Sequence, residues 1–212
     1  MGEISDFAQT LNRLSRYADR QQLLEESVRI DPDQYGQSYI RSVASYGSNA
    51  PYFIDKTLTN FLYIGLIAKA LPGASIVHLR RHPVDSCLAM YRTLFHMGNP
   101  FSYDLDDLAE YYIAYDALMR HWQSVYPGII FDVSYEELVD NQERVSKDII
   151  AHCGLDWEST CLEFDRNKAA VATASAAQVR KPIYRDALAR WQRFETQLAP
   201  LIERLRKAGI AI

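Results

Sequence analysis

The sequence predicts an α/β protein in which a parallel sheet is flanked by helices. Short apolar runs at Tyr52–Asp55, Ser75–Leu79 and Ile129–Val133 have the length of strands. A stretch with helical spacing follows each run, and Pro72-Gly73 and Pro127-Gly128 break the chain just before the second and third. Strands that alternate with helices return to the same end of a sheet, which makes neighbouring strands parallel. Three strands are few for a sheet that needs both faces covered.

The elements follow in order. Residues 5–29 read as helical, with Ser5 or Asp6 as a cap and Phe7, Leu11, Leu14, Leu23, Leu24 and Val28 as an interrupted stripe. Asp31-Pro32 is a cap followed by proline in the first helical position, and Tyr35, Tyr39, Ile40 and Val43 mark the buried side of that helix. After the first strand, Lys56 to Asn60 turns into a helix through Ile64 and Ile67 to Leu71. The second strand leads to the corner Arg80-Arg81-His82. Pro83 then opens a helix carrying Leu88, Tyr91 and Leu94-Phe95. A long helix from Asp104 to Tyr126 carries Leu108, Tyr112, Tyr115, Met119 and Trp122. Helical pieces follow the third strand from Glu136 to Val139, from Val145 to Cys153 with Gly154 as the C′ residue, and from Glu158 to Phe164. Residues 167–184 are small and polar with a basic end, and Ala187–Lys207 closes the chain as a helix.

The corner after the second strand holds the first functional signal. A strand end leading into a helix N-terminus is where α/β proteins bind anions. Two guanidiniums there suit a phosphate, since arginine presents a planar fork of donors. Solvated surface charge on a connection explains the same residues equally well. The pattern alone leaves both readings open.

Composition narrows the classes. The chain has 212 residues, 48% of them hydrophobic and 24% charged, which fits one folded domain spanning 1–212. A net charge of −4 argues against broad binding to nucleic acid, so an anion site should be local. Cys87, Cys153 and Cys161 lack CxxC spacing and read as reduced, mostly buried residues of a cytoplasmic protein. The five histidines show no metal-ligand spacing. No apolar run is long enough to cross a bilayer, and no signal-peptide pattern opens the chain.

Six ordered blocks are more specific. They are Phe53-Ile-Asp-Lys-Thr-Leu-Thr-Asn-Phe61, Leu71-Pro-Gly-Ala74, His78-Leu-Arg-Arg-His-Pro-Val-Asp85, His121-Trp122, Ser134-Tyr-Glu-Glu-Leu-Val139 and Thr173-Ala-Ser-Ala-Ala-Gln-Val-Arg-Lys-Pro-Ile-Tyr184. Together they resemble the sulfotransferases that use 3′-phosphoadenosine 5′-phosphosulfate (PAPS) and release 3′-phosphoadenosine 5′-phosphate (PAP). The strongest likeness is to the bacterial type often found with tetratricopeptide repeats, related to the tyrosylprotein sulfotransferases.

The resemblance implies a P-loop-like α/β fold and a role for particular residues. Arg81 matches the arginine that grips the 3′-phosphate of PAPS. A serine eight positions on normally adds a hydroxyl, and here that position is Ala89. Lys56 matches the lysine that reaches the transferring sulfuryl group, with Ser175 matching a serine beside the same oxygens. Tyr135 matches a tyrosine next to the adenosine. Gln178, Arg180 and Lys181 lie in the segment that grips the cofactor, and Arg190 matches a further basic residue for the phosphate. Glu3 matches the glutamate that serves as acceptor base in some members. The acceptor itself is a small molecule or peptide bearing a hydroxyl, and no metal is called for.

One departure is large. The family opens with a strand and a Gly/Ser/Thr-rich loop that cradles the phosphosulfate, whereas this sequence begins at Met1-Gly-Glu-Ile4 and has no GxxxxGK[ST]. The first strand and phosphate loop are therefore expected to be missing, as in a fragment, a mis-assigned start or a degenerate paralogue. Weak PAPS binding, little turnover and self-association through an open sheet edge follow as expectations. The alternative function is an inactive sulfotransferase-like remnant that binds nucleotides weakly or serves as an interaction domain.

Overall fold

Two helix starts in this chain are written in short polar residues. Asp31 Oδ1 accepts from the amides of Asp33 and Gln34, at 2.9 and 3.4 Å, one residue before Pro32 begins a helix. Asp104 does the same for the long helix, accepting from Asp106 and Asp107 at 2.8 and 3.1 Å. Each cap satisfies amides that have no partner inside the helix. The structure is a computed structural model describing residues 7–14, 21, 25, 27–44, 51–95, 99–166, 183, 185 and 188–212. The described residues up to Ala74 belong to one compact unit and those from Ser75 onward to another.

The first unit contains α1 (Phe7–Leu14), α2 (Pro32–Ala44), a 3-10 turn at Asn60–Tyr63 and α3 (Ile64–Ala70). Of the helix expected over 5–29, α1 supplies the first part, and Gln21, Glu25 and Ser27 are helical. Tyr35, Tyr39 and Val43 recur every four residues and are buried, whereas Ile40 falls off that stripe and is exposed. Phe7 packs edge-on against Tyr35 and Tyr39, with ring centroids 4.9 and 5.2 Å away. Gly36 is where α2 meets α3. A Cβ there would lie 2.2 Å from the Ala70 carbonyl oxygen, so only glycine permits the approach.

The strand expected at Tyr52–Asp55 does not form. The backbone carries only a single bridge residue, Asp55, and Tyr52 and Ile54 are exposed. Phe53 does face inward, packed against the core of this unit and 6.1 Å from the Tyr39 ring, but beyond the bridge at Asp55 the described residues offer the segment no ladder of backbone bonds. Side-chain bonds to Asp55 hold the segment instead.

The second unit runs β1 (Ile76–Arg80), α4 (Pro83–Tyr91), a 3-10 turn at Pro100–Tyr103, α5 (Leu105–Val125), β2 (Ile130–Ser134), α6 (Tyr135–Asp140) and α7 (Gln142–His152). It continues through 3-10 turns at Ser159–Leu162, Phe164–Arg166 and Arg190–Phe194 to α8 (Glu195–Lys207). Among the described residues the sheet has two strands, β1 and β2, paired in parallel. Gly154 closes the turn after α7 at φ +67°, as expected of a C′ residue. Three helix expectations shorten. α4 stops at Tyr91, before Leu94-Phe95; the Glu158–Phe164 piece is two 3-10 turns; and Ala189 at φ 52° prevents a continuous helix from Ala187.

The core of this unit forms between α4, α5 and α8, with Val84, Cys87, Leu108, Leu201 and Leu205 fully buried. Each such leucine contributes about 1.5–3 kcal/mol on leaving water. On β1, Val77 and Leu79 are exposed at 39% and 55%. Cys87 is buried, Cys153 half-buried and Cys161 exposed, so burial holds for one thiol rather than most. No described helix is long and apolar enough to cross a membrane.

Candidate functional site

The register of β1 and β2 builds the site. Arg80 stands opposite Ser134, so the next residue of each strand, Arg81 and Tyr135, leaves the sheet at the same edge. The Arg81 guanidinium carbon lies over the Tyr135 ring, 5.5 Å from its centroid. That is within cation–π range. A cavity of about 390 Å³ opens along this carboxyl edge, bounded by Arg80, Arg81 and His82, by Ser134 and Glu136, and by Tyr115 of α5. The carboxyl ends of parallel strands are where open α/β sheets take their ligands.

Glu136 fastens the corner. Its Oε1 accepts the His82 amide at 2.8 Å and its Oε2 accepts the Ser134 hydroxyl at 2.9 Å. Burial pushes its carboxyl up, but the His82 amide, its own amide and the Ser134 hydroxyl together outweigh burial and hold it below the usual value. The charge is thereby kept and directed at the corner backbone. His82 has a lowered pKa, first through burial, which the Asp85 and Glu136 carboxylates oppose and Arg81 reinforces. Its ring stacks on Trp191, centroids 5.2 Å apart and planes 9° from parallel.

Deeper along the same wall, His78 Nδ1 meets Asp132 Oδ1 at 2.5 Å and His78 Nε2 meets the Tyr115 hydroxyl at 2.5 Å. A carboxylate only accepts, so Nδ1 donates to Asp132, and a neutral ring receives the Tyr115 proton at Nε2. Gln123 donates to the other oxygen of Asp132. This chain ties β1, β2 and α5 together. Burial raises the Tyr115 hydroxyl, and pushes Tyr112 up to about 12, so both stay protonated and serve as wall.

The comparisons with known proteins bear on this geometry. A model of the sulfotransferase family matches residues 4–159, well over half of the chain. The chain belongs to the sulfotransferase family. An uncharacterized protein of Aquifex aeolicus (strain VF5) is 36% identical over 174 residues, which cover 81% of this chain and 23% of that protein. The chain thus spans about a quarter of that relative's length. The sulfotransferase domain from the curacin biosynthetic pathway matches in structure with a TM-score of 0.50 at 14% identity, over 92% of this chain and 87% of that one. At that identity the match shows a common fold, here the mixed α/β arrangement expected from the sequence.

Within this sulfotransferase-family chain, the expected site residues fall into four groups. Arg81 and Tyr135 are brought together by the sheet register. Arg190 begins the 3-10 turn whose next residue, Trp191, stacks on His82. Lys56 lies in the first unit, exposed, one residue past Asp55. Glu3, Ser175, Gln178, Arg180 and Lys181 lie outside the described residues.

Three contributors escaped the sequence reading. Asp55 Oδ2 accepts the Phe7 amide at 3.0 Å and the Tyr39 hydroxyl at 2.8 Å, while its Oδ1 accepts from Asn60 at 3.0 Å. One carboxylate therefore fixes the backbone that presents Lys56. Glu136 and Asp85 complete the set, and their positions beside Tyr135 and in the first turn after Arg81 were the available signal.

Proposed function

We propose that this chain, alone or within a longer protein, transfers a sulfuryl group from PAPS to a hydroxyl acceptor and releases PAP. The observation that carries the reading is the pairing of Arg81 with Tyr135 at the carboxyl edge of two parallel strands. A guanidinium beside an aromatic face suits a nucleotide carrying a phosphate on its ribose, because one group takes the charge and the other the base. Glu136, a carboxylate of that wall, is occupied by the His82 amide and the Ser134 hydroxyl, while Arg80 and Arg81 bring positive charge to the same cavity. Family membership supports the reaction class.

PAPS supplies an activated sulfuryl group whose transfer places negative charge on the departing phosphate oxygens. The chain's part is positioning and charge stabilisation. Arg81 and Arg190 hold the 3′-phosphate, Tyr135 lies against the base, and Gln178, Arg180 and Lys181 extend the grip. Lys56 brings an ammonium toward the developing charge, Ser175 adds a hydroxyl, and Glu3 accepts the proton of the acceptor hydroxyl. These roles follow the resemblance, residue by residue.

The test is acceptor-dependent release of PAP from PAPS, followed by chromatography with phenolic, alcoholic and tyrosine-peptide acceptors, alongside direct PAP binding. Binding with release that depends on an acceptor is the expected result. A folded chain that neither binds PAP nor releases it overturns the reading.

A further inference from the structure

The first turn of α4 contains a carboxylate that its own helix does not use. Asp85 is the third residue of α4, after Pro83 and Val84, and is 2% exposed. An acidic side chain in that position ordinarily reaches back to the amide of the capping residue. Here that amide, His82, already donates to Glu136 at 2.8 Å. Asp85 Oδ1 instead accepts the backbone N–H of Trp191 at 3.0 Å, from the far end of the sequence. Its Oδ2 has no partner among the described residues. A carboxylate buried for a single backbone amide is a costly way to tie down a loop, which calls for a use of the tie.

Two further observations locate that use. Trp191 stacks on His82 with nearly parallel planes. An arginine precedes each stacked ring, Arg81 before His82 and Arg190 before Trp191. Ala189, immediately before Arg190, holds φ at 52°, the one positive value outside glycine among the described residues. An alanine keeps that conformation only when its surroundings impose it. The Asp85 bond to the Trp191 amide and the Trp191–His82 stack hold the chain two residues further on.

We infer that Asp85 is a positioning residue that, through the Trp191 amide and the Trp191–His82 stack, sets Arg190 as the second arm of a two-arginine clamp on the ribose phosphate beside Arg81. This rests on the function proposed above and adds the device that fixes the clamp. Asp85 touches no ligand in this account. Its effect passes wholly through Arg190.

The experiment is a double-mutant cycle on PAP affinity by titration calorimetry, with adenosine 5′-phosphosulfate, which lacks the 3′-phosphate, as the control ligand. Asp85→Ala is expected to weaken PAP by roughly tenfold, the scale of one charge-assisted bond. Asp85→Asn, which keeps an acceptor for the Trp191 amide, should recover most of that loss. In an Arg190→Ala background Asp85→Ala should cost nothing further, and affinity for the control should be unchanged throughout. Trp191→Leu removes the stack but keeps the amide, and it reads the same cycle should Asp85→Ala fail to fold. Equal losses in both backgrounds, or equal losses for both ligands, overturn the clamp while leaving the function standing. An unaltered chain that binds no PAP overturns both.

Discussion

Arg81 and Tyr135, each one residue beyond the paired ends of β1 and β2, meet as cation over ring at 5.5 Å. Neither residue alone is distinctive. Their meeting follows from a parallel register that aligns Arg80 with Ser134, and a slip of one residue would separate them. The candidate site is thus a product of strand pairing more than of any single motif.

The first prediction concerns the ring. Tyr135→Leu should weaken PAP by about two- to fivefold, the range of a cation–π contact at a partly exposed site. Tyr135→Phe keeps the ring and should stay within about twofold of the parent. Calorimetric titration of the two variants separates them, and a larger loss in the Phe variant would shift the role to the hydroxyl.

Ala89→Ser should tighten PAP. Ala89 is exposed on α4, so an added hydroxyl meets no packing obstacle. A further bond to a charged phosphate is worth up to about tenfold in affinity at an exposed position. An unchanged dissociation constant would place the phosphate away from this face of the helix.

Asp55→Ala should destabilise the first unit. It removes at once an acceptor of the Phe7 amide, of the buried Tyr39 hydroxyl and of the Asn60 side chain. A loss of roughly 2–3 kcal/mol is expected for partners left unsatisfied. Hydrogen exchange of α1 and α2 amides should accelerate before those of α5, and uniform protection would show that the carboxylate matters little to the fold.

How much of this was legible beforehand differs by residue. Helix α5 was readable to within a residue of each end, because Asp104 caps it and Pro127-Gly128 follows its last turn. The corner Arg80-Arg81-His82 was equally plain. The strand at Tyr52–Asp55 was misread because apolar alternation cannot tell a paired strand from an extended segment held by side chains. Asp85 and Glu136 were hidden for another reason. Their partners, Trp191 and His82, are 106 and 54 residues away, and no local pattern records such bonds. Ala189 belongs with them, since a positive φ at alanine is dictated by tertiary contacts alone.

The pH dependence of stability should carry a signature of His82. Its folded pKa lies below 6.5, so the unfolded chain binds the proton more readily between those two values. Stability rises with pH where the unfolded state holds more protons. It is therefore complete above about 6.5 and lost as pH falls from there toward the folded value. Glu136, lowered from 4.5, adds a loss of the same sign at more acidic pH. Melting temperatures from pH 7.5 to 5 should fall less steeply for His82→Gln than for the parent. Parallel curves would remove His82 from the account.

In the proposed function Arg81 receives the ribose phosphate while Lys56 serves the sulfuryl group, and PAP carries the first and lacks the second. Titration of PAP into the unaltered chain, Arg81→Ala and Lys56→Ala is the most direct measurement. A loss of at least about tenfold is expected for Arg81→Ala, the scale of a charge-assisted contact, and little change for Lys56→Ala. Equal losses in the two variants, or a larger one at Lys56, would contradict this assignment.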